Sequence, residues 1–513
     1  MPNHANDRQR TRATMVIYGG TAAGVMATVQ AARLGHDVAL VEPTRHVGGI
    51  TVEGLGGSDI DNHPFKNSVA VGGLALAFYE RVGQAYGQAE PVWRFESSVA
   101  ERVFEQMLEE AGVAVYRGCR LREGDGVELE GRRIVAMETE EAGRFEGEAF
   151  IDATIEGDLL AAAGVTTTIG REANAQYDET KNGIRGENTY RQFAVRVDPY
   201  NTPGKPDTGL IPTVQDEPLG TPGEGDHRVQ AYCFRLCFTD EPANQIPFRK
   251  PDDYDPDRYE IYRRYLTAGG KLWTPQVKLP NRKTDLGSWH DLSGNLYGMN
   301  HEYPGGDHAT RRRVLDEHLS FIKGLCWFLT HDSAVPEDLR REWARWGVCR
   351  DEFTDNDGWP RMFYVRDARR MVSDYVITEH HTKREGATPV DDPVALAYWP
   401  PDTHHVRRIV RAGAAYNEGF VFGGEDWGPF GISYRALTPR AAECVNLLTP
   451  TCVSSSHVAY GAVRIEWTFM SLGQAAATAA DLAVRGGCDV QAVPYGPLRE
   501  RLLADGQVLA LEG

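Results

Sequence analysis

The sequence contains no run of about 18 or more apolar residues, the length that a membrane-spanning helix needs. We therefore expect no transmembrane helix. Residues 1–13 are polar, include arginines and lack the apolar segment of a secretory signal. We predict a short disordered tail there and a cytoplasmic location for the protein.

Cysteine occurs at only eight scattered positions, with no C-x-x-C pair and no Cys/His cluster that has zinc spacing. Cys233 and Cys237 lie four residues apart in a segment, 230–238, that we predict to be a strand. Residues with this spacing share a face of a strand but are too far apart for a disulfide. We expect free, buried thiols and no metal site.

Positive charge is in deficit, since 55 Lys and Arg residues face 73 Asp and Glu residues and the net charge is −18. This balance argues against nonspecific binding to nucleic acid or to an anionic membrane. The hydrophobic fraction of 41% and charged fraction of 25% are typical of a soluble globular protein. We predict a small-molecule substrate, no nucleic-acid or membrane partner, and leave homo-oligomerisation open.

The most informative segment that is present is a glycine-rich turn between a strand and a helix. Apolar residues 16–18 lead into Gly19-Gly20-Thr21-Ala22-Ala23-Gly24, a helix follows as far as Gly35, and a strand over 38–41 ends at Glu42. This order predicts the β-α-β unit that binds the ADP half of a dinucleotide. The helix N-terminus favours the pyrophosphate, and we expect Glu42 to accept hydrogen bonds from the ribose.

One residue departs from the usual G-x-G-x-x-G pattern, because Thr21 replaces the middle glycine. Its side chain must point away from the phosphates, or its hydroxyl must contact one of them.

Two further segments favour FAD over NAD. The first follows Glu42 with a second glycine pair, suited to a loop beneath the cofactor, and its predicted contacts are Pro43, Arg45, His46, Gly48, Gly49, Ile50 and Thr51. The second is a buried strand over 149–154 with a polar turn, where we expect contacts from Ala153, Thr154, Glu156, Gly157 and Asp158. The alternative is an ordinary strand and turn.

These motifs predict an α/β protein with a Rossmann-like, three-layer FAD-binding domain and an inserted α+β substrate or cap domain. We place the FAD domain at 14–185 and 436–500 and the inserted domain at 186–435. Helices are predicted over 96–111, 314–329, 337–346 and 464–484, and a strand over 444–449. The remaining predicted cofactor contacts are Leu121 near the adenine, Ser455 in a polar turn, and Gly473 and Gln474 in the last helix.

The chain resembles the FAD-dependent oxidoreductases of the glutathione-reductase-like superfamily, and within them a bacterial xanthan-lyase-type group. The matching stretches include Arg45-His46-Val47-Gly48-Gly49 and Asp152-Ala153-Thr154-Ile155-Glu156-Gly157-Asp158, together with 16–24, 281–285, 364–371, 454–457 and 464–466. They cover nearly the whole chain. The resemblance implies the fold, FAD and an oxidoreductase activity, but no particular substrate.

A flavin supplies the electron chemistry, so the protein must place a substrate and handle one proton. His457, predicted in a turn before the last helix, is the first candidate because an imidazole acts as a base at neutral pH; a structural histidine is the alternative. Arg464 is expected to stabilise the anionic N1–C2=O edge of reduced flavin, or else to pair with a carboxylate.

The inserted domain offers further candidates. His404 could line a substrate pocket or lie in an exposed loop. Arg366, Arg369 and Arg370 are spaced as on a helix, with Arg366 and Arg370 on one face. They could bind a carboxylate or phosphate, or form structural salt bridges. His46 lies where some flavoproteins attach FAD covalently.

Three functions remain open at this point. The first is a dehydrogenase or oxidase that transfers hydride from a small organic metabolite to flavin N5. The second is a flavin monooxygenase that needs NAD(P)H or a reductase. The third is a non-catalytic FAD-binding protein.

Overall fold

The computed structural model describes residues 10–141, 143–187, 190–288 and 290–511. Its α-helices are α1 (Ala22–Arg33), α2 (Gly73–Ala85), α3 (Ser97–Ala111), α4 (Asp158–Ala162), α5 (Asn174–Tyr177), α6 (Glu260–Thr267), α7 (His308–His331), α8 (Glu337–Trp343), α9 (His457–Val463), α10 (Glu466–Gly486) and α11 (Tyr495–Ala504). Short 3₁₀ helices lie at Gly49–Val52, Asn67–Ala70, Pro256–Tyr259, Thr354–Asn356, Glu379–Thr382, Tyr434–Leu437 and Val490–Ala492.

The strands of the amino-terminal part are β1 (Arg10–Arg12), β2 (Met15–Tyr18), β3 (Val38–Glu42), β4 (Ala114–Arg117), β5 (Val127–Glu130), β6 (Arg133–Thr139), β7 (Gly143–Glu146), β8 (Ala149–Asp152) and β9 (Thr167–Thr168). Those that follow are β10 (Tyr200–Thr202), β11 (Lys205–Leu210), β12 (Phe238–Thr239), β13 (Gln245–Pro247), β14 (Gly347–Cys349), β15 (Arg370–Met371), β16 (Pro393–Ala397), β17 (Asp402–Thr403), β18 (Arg407–Arg411), β19 (Ala414–Glu418), β20 (Val421–Phe422), β21 (Phe430–Ser433) and β22 (Leu447–Leu448).

A parallel five-stranded sheet in the order β22-β8-β2-β3-β4 forms the centre of the cofactor domain. The chain passes from β2 through α1 to β3 on one side, while β8 pairs with β2 on the other. The loops that leave β2 and β8 therefore diverge at the carboxyl end of the sheet. In open α/β sheets this is the crevice where ligands bind.

The alternation of side chains along the strands produces three layers. Met15, Ile17 and Leu40 point into a core that they share with α1, α3 and α10. Val16, Tyr18 and Ala39 point to the opposite face, where they pack on the second sheet, β1-β7-β6-β5. Because successive strand residues face opposite sides and both faces of this sheet are covered, its central strands are apolar up to their carboxyl ends, where Glu42 and Asp152 lie. The predicted α/β, three-layer fold with an additional α+β part is confirmed.

A second core lies in the inserted part of the chain. Helices α6, α7 and α8 pack there with Phe238 and Val348 of the three-stranded sheet β12-β14-β13. Not all residues of the predicted inserted domain, 186–435, belong to this second core. Val394 and Ala395 of β16 and Ile432 of β21 belong to the first core instead, and β16 packs against α10.

Several local predictions need correction. Of the predicted disordered tail, residues 1–9 lie outside the described residues, whereas Arg10–Arg12 is a strand paired in parallel with β7. The predicted strand over 444–449 is reduced to β22. Among the described helices, none is both long and apolar enough to cross a membrane.

Candidate active site

The turn between β2 and α1 depends on two glycines. Gly19 adopts φ +96°, a conformation that suits glycine, and a Cβ there would lie 2.7 Å from the backbone nitrogen of Thr154. A Cβ on Gly24 would lie 1.9 Å from the carbonyl oxygen of Gly19. These contacts press the start of α1 against the carboxyl ends of β2 and β8, with the helix N-terminus facing the crevice.

Thr21, the departure from the glycine pattern, is the N-cap of α1. Its hydroxyl donates to the carbonyl oxygen of Ala153 at 2.7 Å and accepts from the backbone N–H of Gly24 at 3.3 Å. The side chain therefore joins the helix to the end of β8. Of the two possibilities for Thr21, the structure has the hydroxyl bonded to protein backbone.

Glu42, at the end of β3, lies beside this turn. Its carboxylate accepts hydrogen bonds from the backbone N–H groups of Gly20 at 2.5 Å and Thr44 at 2.6 Å. Burial raises the pKa of Glu42, and these hydrogen bonds oppose the shift. Each carboxylate oxygen has two lone pairs, so both retain capacity for a ligand hydroxyl.

The second glycine pair packs directly on the first turn. The N–H of Gly48 donates to the carbonyl oxygen of Gly20 at 2.6 Å. Gly48 and Gly49 have φ values of +115° and +57°, and a Cβ on Gly49 would lie 3.3 Å from the Cα of Thr21. The turn after β2 and the turn after β3 are separated in sequence by α1 and β3, yet together they form one surface lined by backbone atoms.

The loop after β8 is fixed from both sides. The Asp152 carboxylate accepts hydrogen bonds from the backbone of Thr154 at 3.0 Å and of Leu160 at 2.9 Å. Asp158 receives a bidentate contact from Arg311 of α7 at 2.6 and 2.7 Å. Burial alone would raise the pKa of Asp158, but the contacts with Arg311 outweigh it and hold the pKa below its ordinary value. The pair ties the inserted part to the predicted cofactor loop.

These segments surround one cavity of about 450 Å³. Fourteen of the predicted site residues line it: Gly19, Thr21, Ala23, Glu42, Pro43, Arg45, His46, Gly49, Ile50, Thr154, Glu156, Asp158, Arg366 and Arg464.

One side of the cavity holds a cluster of charged groups around His46. Its ring nitrogens lie 2.6 Å from Glu101 Oε1 and 2.9 Å from Asp355 Oδ2. Arg361 pairs with Glu53, Nε to Oε1, at 2.7 Å. Burial raises the pKa of Glu53 to about 7 even though Arg361 acts in the opposite direction.

The far end of the cavity is formed where α9 stops and α10 begins. Arg464 donates to the hydroxyl of Tyr364 at 2.7 Å and to the carbonyl oxygen of Asp402 at 3.0 Å. Glu466 accepts one hydrogen bond, from Thr51 Oγ1 to Oε2 at 2.8 Å. It is 7% exposed, and burial raises its pKa to about 7. A carboxyl with this pKa exchanges protons near neutral pH.

The other predicted residues do not line the cavity: Gly20, Ala22, Gly24, Gly48, Thr51, Leu121, Ala153, Gly157, Ser455, Gly473, Gln474, His404 and His457. Some of them act through a neighbour, as Thr51 does through Glu466. Gly473 has a packing role, because a Cβ there would lie 2.1 Å from the carbonyl oxygen of Ala23. Gln474 accepts from the N–H of Leu74 at the start of α2, and Leu121 N–H donates to the hydroxyl of Tyr18, which does line the cavity.

The two candidate histidines lie behind the cavity wall. His457 is the first residue of α9 rather than part of a turn, and its Nδ1 lies 2.8 Å from Asp367 Oδ2. His404 is partly buried, so the exposed-loop alternative does not hold, and its Nδ1 lies 3.3 Å from Ser288 Oγ. Burial, followed by the charges of nearby arginines, holds the pKa of His404 well below its ordinary value.

The prediction that residues 366–370 form a helix is wrong, because the segment is extended and ends in β15. Its three arginines consequently point to different partners. Arg366 reaches the cavity, Arg369 contacts Asp158 at 2.9 Å, and Arg370 contacts Glu172 at 2.8 Å.

The residues present fit a dinucleotide. The fit rests on the glycine contacts that leave no room for a Cβ, on the N-terminus of α1 and on the Glu42 carboxylate, all at the carboxyl edge of a parallel sheet. The sequence also matches the profile described as FAD dependent oxidoreductase over residues 15–502. The chain belongs to this family. The description of this family agrees with the predicted cofactor and with the predicted class of activity.

Solved structures match only part of this chain. No curated protein sequence matches this chain. An L-proline dehydrogenase from P. horikoshii is 14% identical, with 32% of this chain and 59% of that chain covered and a TM-score of 0.25. An L-amino acid deaminase from Proteus vulgaris is also 14% identical, with 30% and 55% covered and a TM-score of 0.23. This chain thus spans less than two thirds of either structure.

Sequence reasoning missed three functional candidates, Glu466, Glu53 and Tyr364. Glu466 did carry a local signal, since it is an acidic residue directly before an apolar helical segment, Trp467-Thr468-Phe469-Met470. Tyr364 and Glu466 also lie in the matching stretches 364–371 and 464–466, although neither was given a role there. Glu53 carried no signal, because its place in the wall depends on contacts between segments far apart in the chain.

Proposed function

We propose that this enzyme is a dehydrogenase or oxidase that removes a hydride from a small organic metabolite. One observation carries the proposal: a single cavity has the dinucleotide-type turn along one wall and Arg464, Glu466 and Tyr364 along another. Gly19, Thr21, Glu42 and Gly49 would hold the dinucleotide. When bound, FAD supplies the two-electron acceptor for the hydride at its N5 position.

Glu466 is the residue that we propose to accept the substrate proton, at Oε1. Thr51 holds the other oxygen, Oε2, and so fixes the direction of the carboxylate. Burial keeps a substantial share of the carboxyl groups protonated at pH 7, so the group both takes and returns a proton near this pH. Glu466 replaces His457 in this role because His457 does not reach the cavity lining.

Arg464 provides positive charge near the reacting end. Its guanidinium is oriented by the Tyr364 hydroxyl and by Asp402, whose carboxylate lies 3.5 Å away. We propose that this charge stabilises negative charge that develops during reduction. His457 and His404 are proposed as positioning residues, the first through Asp367 and the second through Ser288.

Addition of candidate donors to the oxygen-free holoenzyme tests the proposal. A dehydrogenase or oxidase loses its yellow colour when a sugar, amino acid or hydroxy acid that it oxidises is added. If bleaching requires NAD(P)H or a reductase, the enzyme is a monooxygenase. If neither treatment bleaches the flavin, the protein is a non-catalytic FAD-binding protein and the proposal is wrong.

The finer assignments are also proposals. Motif resemblance supports placing the chain in the glutathione-reductase-like superfamily and in its xanthan-lyase-type group. A cytoplasmic location is supported by eight cysteines that are all free thiols. A small-molecule substrate, with no nucleic-acid or membrane partner, is supported by the net charge of −18. Size-exclusion chromatography with light scattering would measure whether the protein forms a homo-oligomer.

A further inference from the structure

Arg366 is a buried cation in the cavity wall that lacks a counter-ion. It is 1% exposed. Its Nη1 donates to the carbonyl oxygen of Ala231, and its Nη2 contacts Ser288 Oγ and, at 3.0 Å, Cys233 Sγ. None of these acceptors is a carboxylate. Within the described part of the chain, no carboxylate forms an ion pair with Arg366, and its Nε has no hydrogen-bond partner.

Other fully buried arginines are compensated differently. Arg370 pairs with Glu172 at 2.8 Å and Arg407 with Glu418 at 2.9 Å. Arg408 lies outside the cavity with its Cζ 4.7 Å from the ring centroid of Tyr297. A buried charge without an opposite charge is costly, because the lost hydration is not replaced by an ion pair. Among these buried arginines, Arg366 is the one that lines the cavity without a carboxylate partner, so a ligand in the cavity would supply its missing anion.

A second guanidinium, that of Arg464, lies near Arg366, so an anion bound between them would be stabilised by two positive charges. The Cζ atoms of Arg366 and Arg464 lie 5.3 and 5.5 Å from the ring centroid of Tyr364. Asp402 is the acid in contact with this pair, and it touches Arg464 rather than Arg366. Glu466 and Asp59 act on Tyr364 only through their charge, and Asp59 acts on Asp402 in the same way. Two cations thus share one contacting carboxylate.

We infer that Arg366 binds a carboxylate of the substrate, so that the metabolite oxidised here is an organic acid. The inference rests on the proposed function and names its substrate class. Arginine suits this task because its charge is permanent and its planar N–H groups match a carboxylate. An alternative role, in which Arg366 contacts the FAD itself, is an outcome of the test below.

Binding of simple acids to the holoenzyme tests this inference without turnover. Benzoate and the neutral benzamide, and acetate and acetamide as a smaller pair, are titrated against the visible absorption of the bound flavin. We expect each acid to bind about 10- to 100-fold more tightly than its amide, the factor typical of a hydrogen bond to a charged group. Equal binding, or no binding of either acid at millimolar concentration, would overturn the inference.

Variants assign the preference to Arg366. In Arg366→Gln we expect acid binding to fall to the level of the amide while amide binding stays within about twofold. Arg366→Lys keeps the positive charge but loses the planar pair of N–H groups, so it should recover part of the preference for the acid over the amide. Arg341→Gln, on the exposed face of α8, should behave as wild type. If Arg366→Gln does not fold, the titrations of the wild type and of Arg366→Lys decide whether Arg366 causes the preference for the acid.

Two other outcomes separate the possibilities. Loss of FAD from Arg366→Lys, with an unchanged acid preference in the remaining holoenzyme, would show that Arg366 serves the cofactor and would overturn the inference. Conversely, an acid preference in a protein whose flavin no donor bleaches would contradict the proposed function while supporting a carboxylate site.

Discussion

The hydroxyl of Thr51 donates a hydrogen bond to Glu466 at 2.8 Å, joining residues 415 positions apart in the chain. Thr51 belongs to the loop that carries the second glycine pair, and Glu466 begins α10. The same contact therefore links the predicted cofactor loop to the far wall of the cavity. Glu466 has no cationic partner in the described part of the structure, which leaves its charge to be set by burial and by this single hydrogen bond.

Replacing Glu466 by glutamine should slow flavin reduction by a factor of about 10² to 10⁴, the usual contribution of a positioned proton acceptor. The amide keeps the size and the contact with Thr51 but cannot take a proton. In the wild type the rate should rise as pH increases through about 7, as Glu466 loses its proton. Stopped-flow bleaching with an active donor measures both effects. Glu500→Gln on exposed α11 is the matched control, and a wild-type rate in Glu466→Gln would refute the assignment.

The same carboxyl should make folding stability depend on pH. Its folded pKa of about 7 exceeds the reference value of 4.5, so between these values the folded state holds a proton that the unfolded state has released. Stability from this group is thus present at low pH and is lost as pH rises through 7. Going from pH 5 to pH 8 should favour Glu466→Gln over wild type by up to about 3 kcal/mol.

Unfolding in denaturant at both pH values measures this difference. Glu53, whose pKa is also about 7, is present in both proteins, so its effect cancels in the comparison. A difference between variant and wild type that does not change with pH would mean that Glu466 titrates normally.

The cofactor turn was predictable because its determinants are local. Glycine spacing, the buried strands on either side and the acid at the end of β3 all follow from a single short segment, and the structure places them at one sheet edge. Because side chains alternate along each strand of the central sheet, buried strands also imply that both faces of this sheet are covered. Thr21 could not be assigned from sequence, since its partner, the carbonyl of Ala153, lies 132 residues away.

The reacting end was less predictable because a backbone break determines it. We predict a turn at His457 and a helix that begins at Arg464, whereas the structure has α9 from His457 to Val463 and α10 from Glu466, with Ile465 between them extended at φ −85° and ψ 135°. This break turns Arg464 and Glu466 towards the cavity. No glycine or proline at the junction signals it. The arginines of 366–370 show the opposite error, since charge spacing without apolar periodicity does not predict a helix.

Replacing Gly24 by alanine should abolish FAD retention and lower the free energy of unfolding by at least about 2 kcal/mol, the cost of overpacking a close contact. The added methyl group would meet the carbonyl oxygen of Gly19 at 1.9 Å and force β2 and α1 apart. Gly496→Ala is a matched control, because nothing lies within 4 Å of its Cβ position in α11. It should gain stability of about 0.5–1 kcal/mol from helix propensity. Normal flavin content in Gly24→Ala would contradict the assigned turn.

Acid denaturation should release the flavin, because His46 is not free to form a covalent bond with it. One ring nitrogen lies 2.6 Å from Glu101 and the other 2.9 Å from Asp355, and Arg361 Nη1 contacts both, so both ring nitrogens are engaged by side chains of the protein. After precipitation with acid, the yellow colour should appear in the supernatant, and His46→Asn should purify with the same flavin content as wild type. Since the His46 side chain is 24% exposed and its ion pairs are partly solvated, this substitution should cost about 1 kcal/mol or less. A flavin that stays with the precipitated protein, on a peptide containing His46, would instead establish the covalent bond and require the ring to leave both carboxylates.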